Sequence, residues 1–138
     1  MNLFHFLRMA PFSILETKGE AAICVQFRTW LTQQTHEKKC RATWRHNQNE
    51  SNQKSGTNQR WWNLQRNMGK LAGIPDYTFL WKNGCLELEI KDGPKGKQSE
   101  AQKIYQTWCE DNDVPYEIAR SVDEAIQIVK KYKIILSQ

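Results

Sequence analysis

The sequence predicts an α/β domain built on a mixed sheet, and three observations carry that expectation. Two strand-like runs flank Asn83-Gly84 with strict alternation of apolar and polar residues. Three segments repeat apolar residues at helical spacing, and Ser99-x-x-Gln102 and Ser121-x-x-Glu124 open two of them as capping patterns. In chain order the elements run helix, strand, helix, hairpin, helix, strand, helix, with no internal repeat. At 138 residues the chain reads as one domain over 1–138.

From Thr17 to Gln33, Ile23, Phe27, Trp30 and Leu31 recur at i, i+4, i+7 and i+8, which is helical spacing. Cys40, Ala42, Trp44 and His46 then alternate with Arg41, Thr43 and Arg45, the pattern of a half-buried strand with a basic outer face. Asn47 to Gln59 holds no hydrophobic residue and reads as a long, flexible polar loop. A short helix is expected from Arg60 to Met68, ending near Gly69. Tyr77–Lys82 and Cys85–Lys91 form the hairpin; a type I′ turn at Asn83-Gly84 would pair Phe79 with Leu88, Tyr77 with Ile90 and Asp76 with Lys91. One face then carries Tyr77, Phe79, Trp81, Leu86, Leu88 and Ile90, the other Asp76, Thr78, Leu80, Lys82, Cys85, Glu87, Glu89 and Lys91. After Ser99, Ala101, Ile104, Tyr105 and Trp108 share one helical face. Pro115–Ala119 is a strand candidate, and Val122, Ala125, Ile126 and Val129 face inward on the last helix.

No apolar run approaches the roughly 20 residues a membrane-spanning helix needs. The apolar extension at 1–14 is interrupted by His5, Arg8 and Pro11 and lacks a basic leader, so it is not read as a signal peptide. A cytoplasmic chain with no membrane partner is expected. Cys24, Cys40, Cys85 and Cys109 form no CxxC pair, so neither a zinc site nor a disulfide framework is expected. Charge is uneven: the net charge is +5, but Lys38 to Lys70 alone carries +7 with Glu50 its only acid. Trp44, Trp61 and Trp62 lie among those basic residues. Cations interleaved with flat rings suit a polyanion with stackable bases, and equally a solvated face above core tryptophans.

The polar hairpin face gathers Asp76, Glu89 and Lys91. A hard divalent cation such as Mg²⁺ is held by one or two carboxylates plus water and phosphate oxygens. A neighbouring lysine can stabilise charge developing on a phosphate. These three side chains therefore supply what metal-assisted phosphodiester hydrolysis needs. Without further context, Asp76 and Lys91 could equally form a cross-strand ion pair.

Gly69-x-x-x-Gly73-x-Pro75-Asp76, followed by Glu89-Ile90-Lys91, resembles the PD-(D/E)xK nuclease signature, and more narrowly the VRR-NUC (virus-type replication-repair nuclease) family. Glu20 ahead of Ile23, Phe27 and Leu31, the Asn49-Glu50 pair, and Gly96-Lys97 with Ser99-x-x-Gln102 follow that family's order across about residues 15 to 120. Tyr77 stands where the family usually has leucine, and the loop around Glu50 is unusually rich in Asn and Gln. The resemblance implies a restriction-endonuclease-like core. It implies Mg²⁺ or Mn²⁺ held by Asp76, Glu89 and the Ile90 carbonyl with Glu20 nearby, and in-line hydrolysis leaving a 5′-phosphate, with Lys91 stabilising the transition state. It also implies action on DNA, branched DNA above all, by a homodimer. Two rivals share these features in part: an archaeal-type Holliday-junction resolvase, and a nucleic-acid-binding module without catalysis.

Further candidates have two readings each. Glu20 could close a capping box with Thr17 or add a third acidic group; Gln102 could cap Ser99 or hydrogen-bond the attacking water or a phosphate. Arg41, Arg45, Glu50, Lys54, Arg60, Arg66 and Lys70 are candidate nucleic-acid contacts from the basic segment, joined by Lys95 and Lys97 from the loop after the hairpin. Glu87 reads as solvated, and His46 as a strand residue rather than a general base.

Overall fold

The computed structural model describes residues 18–47 and 59–137. The apolar extension, Thr17, Glu50, Lys54 and most of the polar loop lie outside the described residues. Among the described residues eight elements follow one another: α1 (Glu20–His36), β1 (Thr43–His46), α2 (Gln59–Asn67), β2 (Tyr77–Trp81), β3 (Gly84–Ile90), α3 (Glu100–Asp111), β4 (Tyr116–Ala119) and α4 (Val122–Lys131). The strands form one mixed sheet in the order β1-β2-β3-β4. β1, β2 and β3 pair antiparallel, and β4 runs parallel to β3 after the crossover through α3. The chain is thus α/β with a four-stranded mixed sheet, as the alternation of periods predicts. Among the described residues, no helix is long and apolar enough to cross a membrane.

Alternation buries one face of the hairpin, with Trp81 near the turn only partly covered. Tyr77, Phe79, Leu86, Leu88 and Ile90 meet Phe27 and Leu31 of α1 and Ala125 and Val129 of α4 in one core. Each such side chain contributes about 1.5–3 kcal/mol on burial. Phe27 sits edge-on to Tyr77 with ring centroids 5.3 Å apart. Trp44 enters the same core and donates its indole N–H to Thr35 Oγ1 at 3.0 Å. Ile134, just past α4, completes the core, and the backbone beside it pairs with the segment ahead of β1: Arg41 N–H donates to Ile134 O, and Leu136 N–H to Lys39 O. Three apolar residues after a lysine-rich stretch are too few to show a period, which is why the sequence gives no warning of this docking.

The hairpin register differs from the expected one by two residues. Tyr77 pairs with Leu88, Phe79 with Leu86, and Trp81 with Gly84, so Lys82-Asn83 form the turn instead of Asn83-Gly84. Asn83 takes the positive φ of 64° that the turn requires. Gly84 is drawn into β3 because the Trp81 indole lies across it, leaving only 2.3 Å to where a Cβ would stand. A two-residue shift keeps every side chain on its predicted face. It changes partners, however: continued by one pair, the register sets Asp76 opposite Glu89, not Lys91.

Helix α3 also departs from the pattern. Ala101, Ile104, Tyr105 and Trp108 do share a side, but Ile104 and Trp108 are more than half exposed. With Leu71, Ala72, Ala101 and Tyr105 they line an open apolar groove. The helix instead turns Gln102 and Cys109 to the sheet, because Gln102 is bound to the polar side chains of β3 and the residue after it.

Candidate active site

Three elements deliver acidic groups to the end of the hairpin away from its turn. Asp76 precedes β2, and the chain reaches it through Gly73, whose φ is +77°. A Cβ on Gly73 would stand 2.3 Å from the Ala101 carbonyl oxygen, so only glycine lets this approach pack against α3. Glu89 and Lys91 come from β3 and the residue after it, both nearly fully buried. Glu20 begins α1; the N-cap is Gly19, with no side-chain capping bond. Glu20 therefore stands at the first helical position and not the third, which a capping box requires. Its carboxylate is instead 3.7 Å from Lys91 Nζ.

Gln102 fulfils its capping reading and also binds two side chains of the hairpin. Its Oε1 accepts from the Ser99 backbone N–H at 2.8 Å and closes the capping box of α3. The same oxygen accepts from Lys91 Nζ at 3.0 Å, while its Nε2 donates to Glu89 Oε1 at 2.7 Å. Lys91 Nζ in turn lies 3.1 Å from Glu89 Oε1. One amide thus fixes the carboxylate and the ammonium relative to each other.

The Asp76 and Glu89 carboxylates are both buried and face each other's charge. Asp76 Oδ2 accepts the Ile90 N–H at 2.7 Å. In a strand a residue's N–H and C=O project toward the same neighbour, so the Ile90 carbonyl faces the Asp76 side as well. Glu89 Oε2 is buried and has no hydrogen-bond partner among the described residues. An orphaned, buried carboxylate oxygen costs free energy unless something positive meets it. Burial first, and then the charge of Asp76, push the Glu89 carboxyl up to about 8. Burial likewise raises Asp76, against the pull of the Ile90 N–H and His46. Without a cation the pair is held partly protonated, as two close carboxylates sharing a site are.

Glu87 departs from its sequence reading, whereas His46 ends β1 as a strand residue, as expected. Glu87 is buried, not solvated: the Thr78 hydroxyl lies 3.1 Å from both of its oxygens, and burial raises its pKa. α3 covers this part of the face, which the hairpin pattern alone does not reveal. His46 is brought to the site, with Nε2 4.0 Å from Asp76 Oδ1. Burial pushes its imidazole below the ordinary pKa. Cys24, one turn after Glu20 on α1, completes this corner and was not singled out in the sequence. Its position at i+4 from Glu20 was the available signal.

The basic candidates spread more widely. Arg45 is exposed in β1 opposite Thr78, on the site's side of the sheet. Arg41 lies over the Trp81 ring and donates to the Tyr132 carbonyl at the turn end of the hairpin. That is ~16 Å along the strand from Asp76. Arg60 and Arg66 are exposed on α2. Lys70 Nζ sits 4.3 Å from the Trp62 ring centroid, a cation–π contact. Lys95 and Lys97 are exposed on the loop after Lys91, which Arg120 pins through the Gly93 and Gly96 carbonyls at 2.8 and 2.7 Å.

No protein-family model matches the chain, and no curated protein or solved structure matches it.

Proposed function

We propose that this chain is a metal-dependent endodeoxyribonuclease of the PD-(D/E)xK type with a restriction-endonuclease-like core, closest in pattern to the VRR-NUC family. The observation that carries the reading is the buried, unpartnered Oε2 of Glu89 beside Asp76, with Lys91 clamped next to both by Gln102. An all-oxygen donor set fits Mg²⁺ or Mn²⁺ better than a softer ion. Asp76, Glu89 and the Ile90 carbonyl would hold the cation, with Glu20 at the rim. The ion supplies Lewis-acid polarisation of the scissile phosphate and of water.

The chain's own residues do the rest. Lys91 presents a fixed positive charge where the phosphorane gathers negative charge, and its hydrogen bonds to Gln102 and Glu89 spare it reorganisation during the reaction. Gln102 engages both members of the Glu89–Lys91 ion pair and fixes it in place. Arg45, Lys95 and Lys97 are the exposed cations best placed to meet the flanking phosphates of DNA. A structure-selective enzyme acting on branched DNA follows from the family pattern.

The test is a cleavage panel of single-stranded, duplex, flap and four-way-junction DNA with Mg²⁺, Mn²⁺ or chelator. Cleavage is expected only with a divalent ion, and Asp76→Ala, Glu89→Ala and Lys91→Ala should each abolish it while DNA binding largely survives. Parent-like cutting by purified Glu89→Ala protein overturns the assignment. Binding without cleavage on every substrate would favour the non-catalytic binding module.

A further inference from the structure

One corner of the site has the wrong chemistry for magnesium. Cys24 from the second turn of α1, His46 from the end of β1 and Asp76 ahead of β2 each offer one ligand atom, and all three atoms lie within 4.8 Å of one another. Sulfur, imidazole nitrogen and carboxylate oxygen together form the donor set of zinc and its borderline-soft neighbours. We propose that Cys24, His46 and Asp76 bind a divalent cation of the zinc class, and that filling this site withdraws Asp76 from the hard-cation site beside Glu89. The second half rests on the nuclease reading; the first does not.

The geometry supports three protein ligands with a fourth position left to water. Tetrahedral bonds of about 2.0–2.3 Å hold ligand atoms roughly 3.3–3.8 Å apart. The Nε2–Oδ1 distance of 4.0 Å is close to that value. The cluster as a whole must therefore contract by about 1 Å, within the reach of side-chain torsions. Tyr77 holds two of the ligands in place: its hydroxyl donates to the Cys24 carbonyl at 3.1 Å, and its ring meets the His46 ring edge-on at 5.1 Å. The His46 side chain is half exposed, which gives an ion a path from solvent. On ligation the Cys24 thiol gives its proton to water and binds as thiolate, with no change of oxidation state. Asp76 links the two sites, since its Oδ2 is held by the Ile90 N–H beside Glu89 while its Oδ1 faces His46.

The test uses full-length, metal-free protein. Titration with Co²⁺ should give one equivalent bound and a thiolate-to-cobalt charge-transfer band in the near ultraviolet. Cys24→Ser should remove that band. Both Cys24→Ser and His46→Ala should weaken Zn²⁺ binding in calorimetry at least tenfold, since loss of an outer-shell partner alone costs about 10–100-fold. Circular dichroism melts establish that the variants are folded. Absence of the band, or its persistence in Cys24→Ser, overturns the site. In a second arm, Mn²⁺ binding is followed by electron paramagnetic resonance, and Zn²⁺ should displace Mn²⁺ from the parent but not from the Cys24→Ser/His46→Ala protein. Mn²⁺ retained by the parent when Zn²⁺ saturates overturns the shared-ligand claim. Failure of Mn²⁺ to bind at all overturns the nuclease reading and leaves the zinc site to stand on the cobalt band.

Discussion

Replacing Glu89 with Gln should stabilise the metal-free protein at about pH 8 and leave it nearly unchanged at about pH 4. Glu89 is 1% exposed, and its carboxyl is displaced from the ordinary 4.5 up to about 8. A folded-state pKa above the unfolded one means the native state holds the extra proton between those two values. Stability is therefore full below about pH 4.5 and falls as pH rises toward 8. The slope is at most about 1.4 kcal/mol per pH unit for one such group. For a domain of this size that corresponds to roughly 4–6 °C in Tm per pH unit. Gln102 and Lys91 can still donate to the amide oxygen of Gln at this position, so the substitution removes the charge without removing an acceptor. Thermal melts by circular dichroism in chelator should show parent and Glu89→Gln nearly coinciding at about pH 4 and separating by about pH 8, with the variant higher. Added Mg²⁺ should lift the parent at pH 8 much more than the variant. Melting curves that move in parallel across this range would refute the claim that burial beside Asp76 leaves this carboxyl holding its proton.

Gln102→Ala should cost about 1–3 kcal/mol in urea unfolding, because Glu89 and Lys91 each lose a partner in a buried setting; a loss below about 0.5 kcal/mol would contradict the clamp. Arg45→Ala should flatten the slope of log K against log salt on duplex DNA by about 0.9. Arg41→Ala should leave that slope unchanged, since its guanidinium is already engaged by Trp81 and the Tyr132 carbonyl. The full-length chain should sediment as a dimer at micromolar concentration and the chain lacking residues 1–13 as a monomer, given seven large apolar residues between Leu3 and Ile14. A full-length monomer that cuts both strands of a junction would sink the dimer.

The grouping of Asp76, Glu89 and Lys91 on one face was legible because strand periodicity is two, and it survived an error in the turn. Asn83-Gly84 looked like the turn itself. The close seat of the Trp81 indole on Gly84, a contact invisible in local sequence, moved the turn back by one residue and the pairing by two. Helical periodicity placed α3 correctly but misjudged its buried side. Its orientation is set by the polar grip of Gln102, which an apolar pattern does not encode. The nearness of Cys24 and His46 to Asp76 escaped for a related reason: it arises only where α1, β1 and the start of β2 meet in space, from positions more than 20 residues apart for Cys24 and His46 and 30 for His46 and Asp76. The docking of Ile134 and Ile135 beside Cys40 is another long-range event with no local signature.

Gln102 binds the fate of a helix end to that of the chemistry. The amide that satisfies the Ser99 N–H is the one that braces the Glu89–Lys91 pair, so fraying of the first turn of α3 also loosens both charges. The site accordingly has no independent existence from that turn. Whatever steadies residues 99–102 also holds Glu89 and Lys91 in their mutual arrangement.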